Sequence, residues 1–404
     1  MKIYKSTVFP LIVILSLISA VFLVDYVPIL QYADELVTIL LLPYMVLGTI
    51  KRYVYIDKCI RNIIFLFVLI GLIGIASTVL NKVQPDKFAV CLDILTLSKI
   101  IVCPIGMYFL LDEHNSEEII RILTPMAKFF LWSGLACALV SQFLNIGMTE
   151  YERNGIKSFY FIVGFQHLFS ILVLCALLII LSRKYDLRYI LIAIVQMILT
   201  LKGPSIIWSV TILFILYYFK RDREKIDKWV YVVLLLFCII FGQFQIQNYF
   251  LNDTAPRLVL LNYGLKTALA YFPLGSGFAT YGSPVAASYY SPLYLLYGFN
   301  NKYGMSKTDT SFLNDNYWPT IIGQFGFLGL IIALIIFVNF FYFVMKSNLR
   351  KELKAVTISC LLFIAIHSLG SSIFTTNATL ILFIVMVVII KMYDTEVEEG
   401  SCLL

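Results

Sequence analysis

Charge is scarce in this sequence. Asp, Glu, Lys and Arg make up 14% of its 404 residues, where a soluble domain carries about 25%. That scarcity excludes a single water-facing globule, because too little polar surface is present to cover it. Histidine is rarer still, with three in the whole chain. The eight cysteines are scattered, mostly inside apolar runs, and none forms a C-x-x-C pair. This argues against a metal cluster and against a disulfide framework. Also missing are a Walker loop, H-E-x-x-H, G-x-S-x-G and any carboxylate cluster at metal-ligand spacing. Nothing here demands a metal or another cofactor.

What is present is apolar length: 60% of the residues are hydrophobic. A spanning helix needs roughly 20 apolar residues. The runs predict twelve spans, near 8–25, 33–50, 62–80, 96–112, 122–144, 160–182, 187–201, 204–219, 229–246, 317–345, 353–371 and 376–392. The first follows Lys2 and Lys5 and reads as an uncleaved span rather than a signal peptide. The fourth carries Lys99, with Asp93 just before it, and is the weakest of the set. The seventh and eighth are short and joined at Lys202-Gly203-Pro204. With the N-terminus inside, 20 basic residues fall in cytoplasmic segments and 9 in outer ones. The positive-inside rule therefore puts both termini in the cytoplasm, and the net charge of +7 reads as membrane orientation, not as a nucleic-acid footprint. The expected class is an all-α polytopic membrane protein, residues 1–404 forming one integral membrane domain.

One segment breaks the run of short loops. Residues 247–316, between the ninth and tenth spans, form a long outer loop rich in aromatics and turn residues. Such a length is usually functional or disordered, and the Tyr and Phe content speaks against disorder. It predicts a folded cap with short helices at the membrane surface. Its tyrosines suit either sugar contacts or an interfacial aromatic belt.

Basic residues outside a membrane need a reason. Arg153 and Lys157 lie in "YERNGIKSFY", Lys202 in "LTLKGPS", and Arg257 and Lys266 in "APRLVLLNYGLKTALAYFPLG". Each alone suits a snorkelling contact with lipid headgroups; together they suit an anionic ligand. Arg257 and Lys266 are nine residues apart, about 180° round a helix, so they should not share a face. Arg257 is the better anion contact, since its planar fork matches phosphate oxygens. The outer acidic candidates are Glu150, Glu152, Asp253, Asp309 and Asp315. Asp315 opens "DNYWPTIIGQFGFLG" at the start of the tenth span and suits either a base towards a sugar hydroxyl or a plain helix N-cap. His167 and His367 lie near outer helix ends, as proton shuttles or as buried, hydrogen-bonded rings.

The stretch "FPLGSGFATYGS", Phe272 to Ser283, carries Gly275, Gly277 and Gly282. A phosphate-binding glycine run sits between a strand and a helix N-terminus. This one follows a helical stretch, Arg257 to Tyr271, broken by Pro273. It reads instead as a turn that needs positive φ, a hinge letting the cap fold over a site.

Four pieces of the chain resemble one family. They are "RNGIKSFY"; "LTLKGPSIIWSV"; "RLVLLNYGLKTALAYFPLGSGFATYGS", similar to an Arg-x-x-x-(W/Y)…Pro-x-x-Gly-x-Gly pattern; and "DNYWPTIIGQFGFLGL". In order and spacing, over roughly residues 150–345, they resemble the bacterial O-antigen, capsule and exopolysaccharide polymerases of the Wzy type and the related O-antigen ligases. The resemblance implies the GT-C architecture of membrane glycosyltransferases. It implies an inverting, metal-independent transfer of a growing glycan from polyprenyl (undecaprenyl) diphosphate onto a new lipid-linked repeat unit, on the outer side of the bacterial cytoplasmic membrane. Its expected associates are a chain-length regulator and a flippase. By position, Arg257 would clamp the diphosphate and Asp315 would orient or deprotonate the acceptor hydroxyl. Arg153, Lys202, Lys266, Gly275, Gly277 and Tyr281 would bind substrate, with Lys202 standing where the family more often has Arg. A ligase, with the same donor but another acceptor, is the near alternative; a polysaccharide flippase or transporter is the distant one.

Overall fold

A computed structural model describes residues 5–24, 26–52, 56–219 and 255–394. The expected ninth span at 229–246, Asp253 and the first residues of the outer loop lie outside them. The described chain is mostly helical. Eight helices come first: α1 Lys5–Leu23, α2 Ala33–Arg52, α3 Lys58–Asn81, α4 Lys87–Leu110, α5 Glu113–Phe143, α6 Gln166–Arg183, α7 Leu187–Leu199 and α8 Gly203–Phe219. The long loop then supplies α9 Pro256–Ala270, α10 Pro284–Ser288 and α11 Pro292–Leu296, followed by α12 Tyr317–Lys346, α13 Lys351–Ser368 and α14 Asn377–Met392. Seven of these are long and apolar enough to cross a membrane: α1 to α6 and α12, with the short helix at Pro28–Tyr32 counted into the second. The protein is membrane-embedded. Its helices fall on the expected apolar runs, because long runs without charge have only one economical fold in a bilayer.

Burial follows the sequence pattern. In α14 every residue from Ala378 to Ile390 is buried, and α6 is nearly as enclosed. Both are apolar all round, as a central helix must be. On α2, α3 and α12 large apolar side chains such as Ile39, Phe65, Leu72 and Ile331 point outwards, which suits contact with lipid. The two charges that weakened the fourth span have local explanations. Lys99 pairs with Asp34 of α2, both buried, and Asp93 accepts the Ala279 N–H at 2.6 Å. A charge inside a membrane helix needs such a partner.

One element departs from the all-α expectation. Thr149–Arg153 (β1) and Ile156–Phe159 (β2) form an antiparallel hairpin. Its turn is Asn154-Gly155, both with positive φ, the residue pair that a tight two-residue hairpin prefers. The Gln142 side chain holds it in place like a third strand. Its amide accepts from Lys157 N–H at 2.9 Å and donates to the Lys157 carbonyl at 3.0 Å.

The described part of the long loop, 255–316, is folded, and three of its tyrosines lie in its core. Tyr281, Tyr290 and Tyr294 are buried with Leu260, Phe299 and Met305. Their hydroxyls meet backbone: Tyr281 donates to the Leu260 carbonyl at 2.7 Å, Tyr290 donates to the Met305 carbonyl at 3.1 Å, and Tyr294 accepts from Gly282 N–H at 2.8 Å. For these three, neither a sugar face nor a lipid belt describes the role.

The glycine stretch is no hinge. It is a strap driven into the bundle against α3, α4 and α12. Every backbone N–H from Gly275 to Ala279 has a partner: the carbonyls of Tyr271, Gly323 and Gln324, then Thr78 Oγ1 and Asp93 Oδ2. Two of those carbonyls are available because α12 breaks at Gly326 (φ 66°, ψ −166°). The break removes the helical donors that Gly323 and Gln324 would otherwise meet, and the strap replaces them. Gly275, at φ 79°, lies against the backbone of Gln324 and Gly326, where a Cβ would collide. With these donors consumed, the stretch offers no cradle for phosphate.

Candidate functional site

The site forms where α9 and α12 begin. Pro256 occupies the first turn of α9, which suits its fixed φ, and Arg257 follows it. Asp315 stands just before α12. The two helices pack closely enough that Gly264 lies on Pro319. That contact aligns their starts, and Arg257 Nε donates to Asp315 Oδ2 at 2.9 Å. Both side chains are half-buried, with relative exposures of 20% and 29%. The N-cap expected of Asp315 belongs instead to its neighbour. Asn316 Oδ1 accepts from Trp318 N–H, which leaves the Asp315 carboxylate for the arginine. Burial pushes the Asp315 carboxyl up from its ordinary value, against the opposing pull of Arg257 and then Lys202.

Lys202 sits in the connection between α7 and α8. Its ammonium lies 5.5 Å from the centre of the Tyr151 ring, and the Arg153 guanidinium lies 5.1 Å from the same ring. The hairpin thus carries Tyr151 and Arg153 to Lys202. Three of the predicted cations, Arg153, Lys202 and Arg257, belong to one end of the bundle, with Asp315 among them. Lys157 serves the hairpin through its backbone pairing to Gln142.

The remaining candidates fall elsewhere. Lys266 is on the far side of α9 from the ion pair, as its spacing predicts, over the Tyr263 and Tyr297 rings at 5.6 and 5.5 Å. Lys302 lies over the same Tyr263. Gly275 and Gly277 are in the strap, with their N–H groups consumed, and Tyr281 is wholly buried under the cap. Substrate contact is not available to these last three in this arrangement.

A further histidine joins the site. The turn after α13 lies on the arginine: a side chain at Gly370 would sit 3.5 Å from Arg257 Nη1. His367, three residues earlier, is buried; its Nδ1 is 2.7 Å from Ser371 Oγ. Its ring is 5.9 Å from that of His167. Trp318 of α12 donates to Ser368 Oγ at 3.0 Å, tying this turn to the residues beside Asp315. The sequence marks His367 as a helix-end histidine, but nothing in it connects residue 367 to residue 257.

An apolar groove lies against the start of α12. It is lined by Phe67, Ile70 and Gly71 of α3, Ile94 and Leu97 of α4, and Tyr317, Trp318, Ile321 and Phe337 of α12. Its cavity volume is about 140 Å³, below the roughly 300–1,000 Å³ of most small-molecule sites. Tyr317 and Trp318 form part of its wall, two and three residues from Asp315. Among the described residues, no group of three or more His, Cys, Asp or Glu side chains could hold a metal ion.

No protein-family model matches the chain, and no curated protein matches it either.

Proposed function

We propose that the protein is a polysaccharide repeat-unit polymerase, an inverting glycosyltransferase that moves a growing glycan from polyprenyl diphosphate onto a lipid-linked repeat at the outer face of the bacterial cytoplasmic membrane. The observation that carries this reading is the joining of Arg257, Asp315 and Lys202 at the start of α12, whose next residues, Tyr317 and Trp318, line an apolar groove. A substrate with a diphosphate head and an isoprenoid tail has that division of chemistry: anion above, hydrocarbon below. Arg257 meets the diphosphate with its planar fork, and Asp315 keeps the fork aimed. As the glycosidic bond to phosphate breaks, negative charge grows on the leaving oxygen, and cations fixed in a half-dry site stabilise that change more than they stabilise the ground state. Lys202 adds charge without bidentate geometry. The acceptor hydroxyl attacks from the face opposite the leaving group, which inverts the anomeric centre. In this reading chain length and repeat supply depend on a regulator and a flippase.

The test is reconstitution. The full chain in lipid nanodiscs, given undecaprenyl-diphosphate-linked repeats and EDTA, is expected to lengthen them. Strict dependence on a divalent metal, or transport of the repeats without elongation, would overturn the proposal. Transfer to a non-repeat acceptor alone would move the assignment to the ligases.

A further inference from the structure

We propose that His367 is the general base of the transfer, receiving the acceptor proton at Nε2, and that Asp315 acts only through Arg257, as its positioning residue. The inference rests on the glycan-transfer reading and adds to it the identity of the base.

One tautomer satisfies both contacts of Ser371 Oγ. With its hydrogen given to the His367 backbone carbonyl at 3.2 Å, Ser371 Oγ accepts from Nδ1 at 2.7 Å. In that tautomer Nδ1 carries the ring hydrogen and Nε2 holds a lone pair. That Nε2 is buried and has no hydrogen-bond partner among the described residues. A buried acceptor left without a donor costs free energy and calls for a reason. An acceptor hydroxyl, donating to Nε2 in the substrate complex, supplies one.

Competing bases are poorer. The Asp315 carboxylate is paired through Oδ2 with Arg257. His167 makes ring contacts with Phe165 and His367, and no hydrogen bond among the described residues fixes its tautomer. The charged and titratable groups facing His367 are His167 from α6, Lys202 from the α7–α8 connection and Arg257 from α9. A base here thus stands beside the cation that receives the leaving group.

The step balances within the site. The acceptor O–H gives its proton to Nε2 while its oxygen bonds to the anomeric carbon. The bond from that carbon to the diphosphate oxygen breaks, and its electron pair leaves with polyprenyl diphosphate. The imidazolium then returns the proton to solvent.

The experiment uses the full chain in nanodiscs with undecaprenyl-diphosphate-linked repeats. It measures donor binding, KM and kcat for wild type, His367→Gln and Ser371→Ala. His367→Gln should bind undecaprenyl diphosphate as wild type does, keep its KM, and lose kcat by about 100-fold or more. Ser371→Ala should lose kcat by a smaller factor, because Nδ1 no longer holds the hydrogen in place. Elongation by His367→Gln at the wild-type rate overturns the assignment, as does a loss of rate that only follows a loss of donor binding. Should His367→Gln fail to insert, Ser371→Ala decides, and an unchanged kcat there overturns it. A wild type that neither binds nor elongates overturns the glycan-transfer reading itself, and this inference with it.

Discussion

The strap and the Arg257 cluster both adjoin the first half of α12 and use their polar groups in opposite ways. In the strap, polar side chains serve backbone. Asn81 donates to the Gly275 carbonyl, Gln84 to the Ala279 carbonyl and Gln324 to the Tyr281 carbonyl, each at 3.0 Å. The main chain there has no helix or sheet to join, and away from water its groups must be met by something. In the cluster, polar side chains face one another. Arg257 meets Asp315, and Arg153 and Lys202 share Tyr151, at positions that remain partly open, while His367 holds Ser371. In a chain with so little charge, the partner a polar group serves separates architecture from chemistry. A carboxylate on a buried N–H, as at Asp93, fixes the fold. A carboxylate on a half-exposed arginine is placed to act.

Substitutions on the two sides should separate cleanly. Gly275→Ala should have the largest effect and should act on folding. A Cβ there forces a residue at φ 79° against the Gln324 and Gly326 backbone, costing about 3 kcal/mol or more. Little folded protein should be recovered from membranes, as read by detergent-solubilised yield and melting. Normal yield would mean that the strap does not organise the bundle. Arg257→Ala should leave yield intact and lower elongation by roughly 100- to 1,000-fold, the loss typical of one donor to developing negative charge. Polymer of normal length in that variant would dissolve the distinction from the other side.

Asp315→Asn should be milder, about tenfold, since the arginine stays but loses its aim. It should also change the pH profile. Asp315 must be ionised to hold Arg257, and burial raises its pKa. The pair is therefore present above that raised value and breaks as pH falls through it. Wild type should show an acid limb shifted up from the ordinary Asp value, and the limb should vanish in Asp315→Asn. A limb that persists unchanged assigns it to another group. Lys266→Ala should do least. Its charge lies over Tyr263 and Tyr297, away from the ion pair, and elongation should stay within about threefold of wild type.

The sequence was informative where a feature is local. Apolar runs located the helices, and the nine-residue spacing separated Lys266 from Arg257. Asn154-Gly155 between β-prone residues is also a local hairpin signal, one that span hydropathy does not register. Asp315 and Asn316 are both good N-caps, and composition cannot say which one caps. Other features depend on distant partners. The strap can insert only because α12 breaks at Gly326, about fifty residues further on. The Arg257–Asp315 pair spans 58 residues, and His367 arrives from another helix. Each was visible as a residue type at a plausible depth, but their meeting depends on how α9, α12 and α13 pack.

The central claim is that the Arg257 cluster holds a lipid diphosphate, and binding tests it without requiring turnover. Full-length protein in nanodiscs should bind undecaprenyl diphosphate more tightly than undecaprenol, which has the same tail and no charge, and Arg257→Ala should erase that preference while undecaprenol binding stays the same. An Arg257→Ala protein that still prefers the diphosphate to the same degree would contradict the claim.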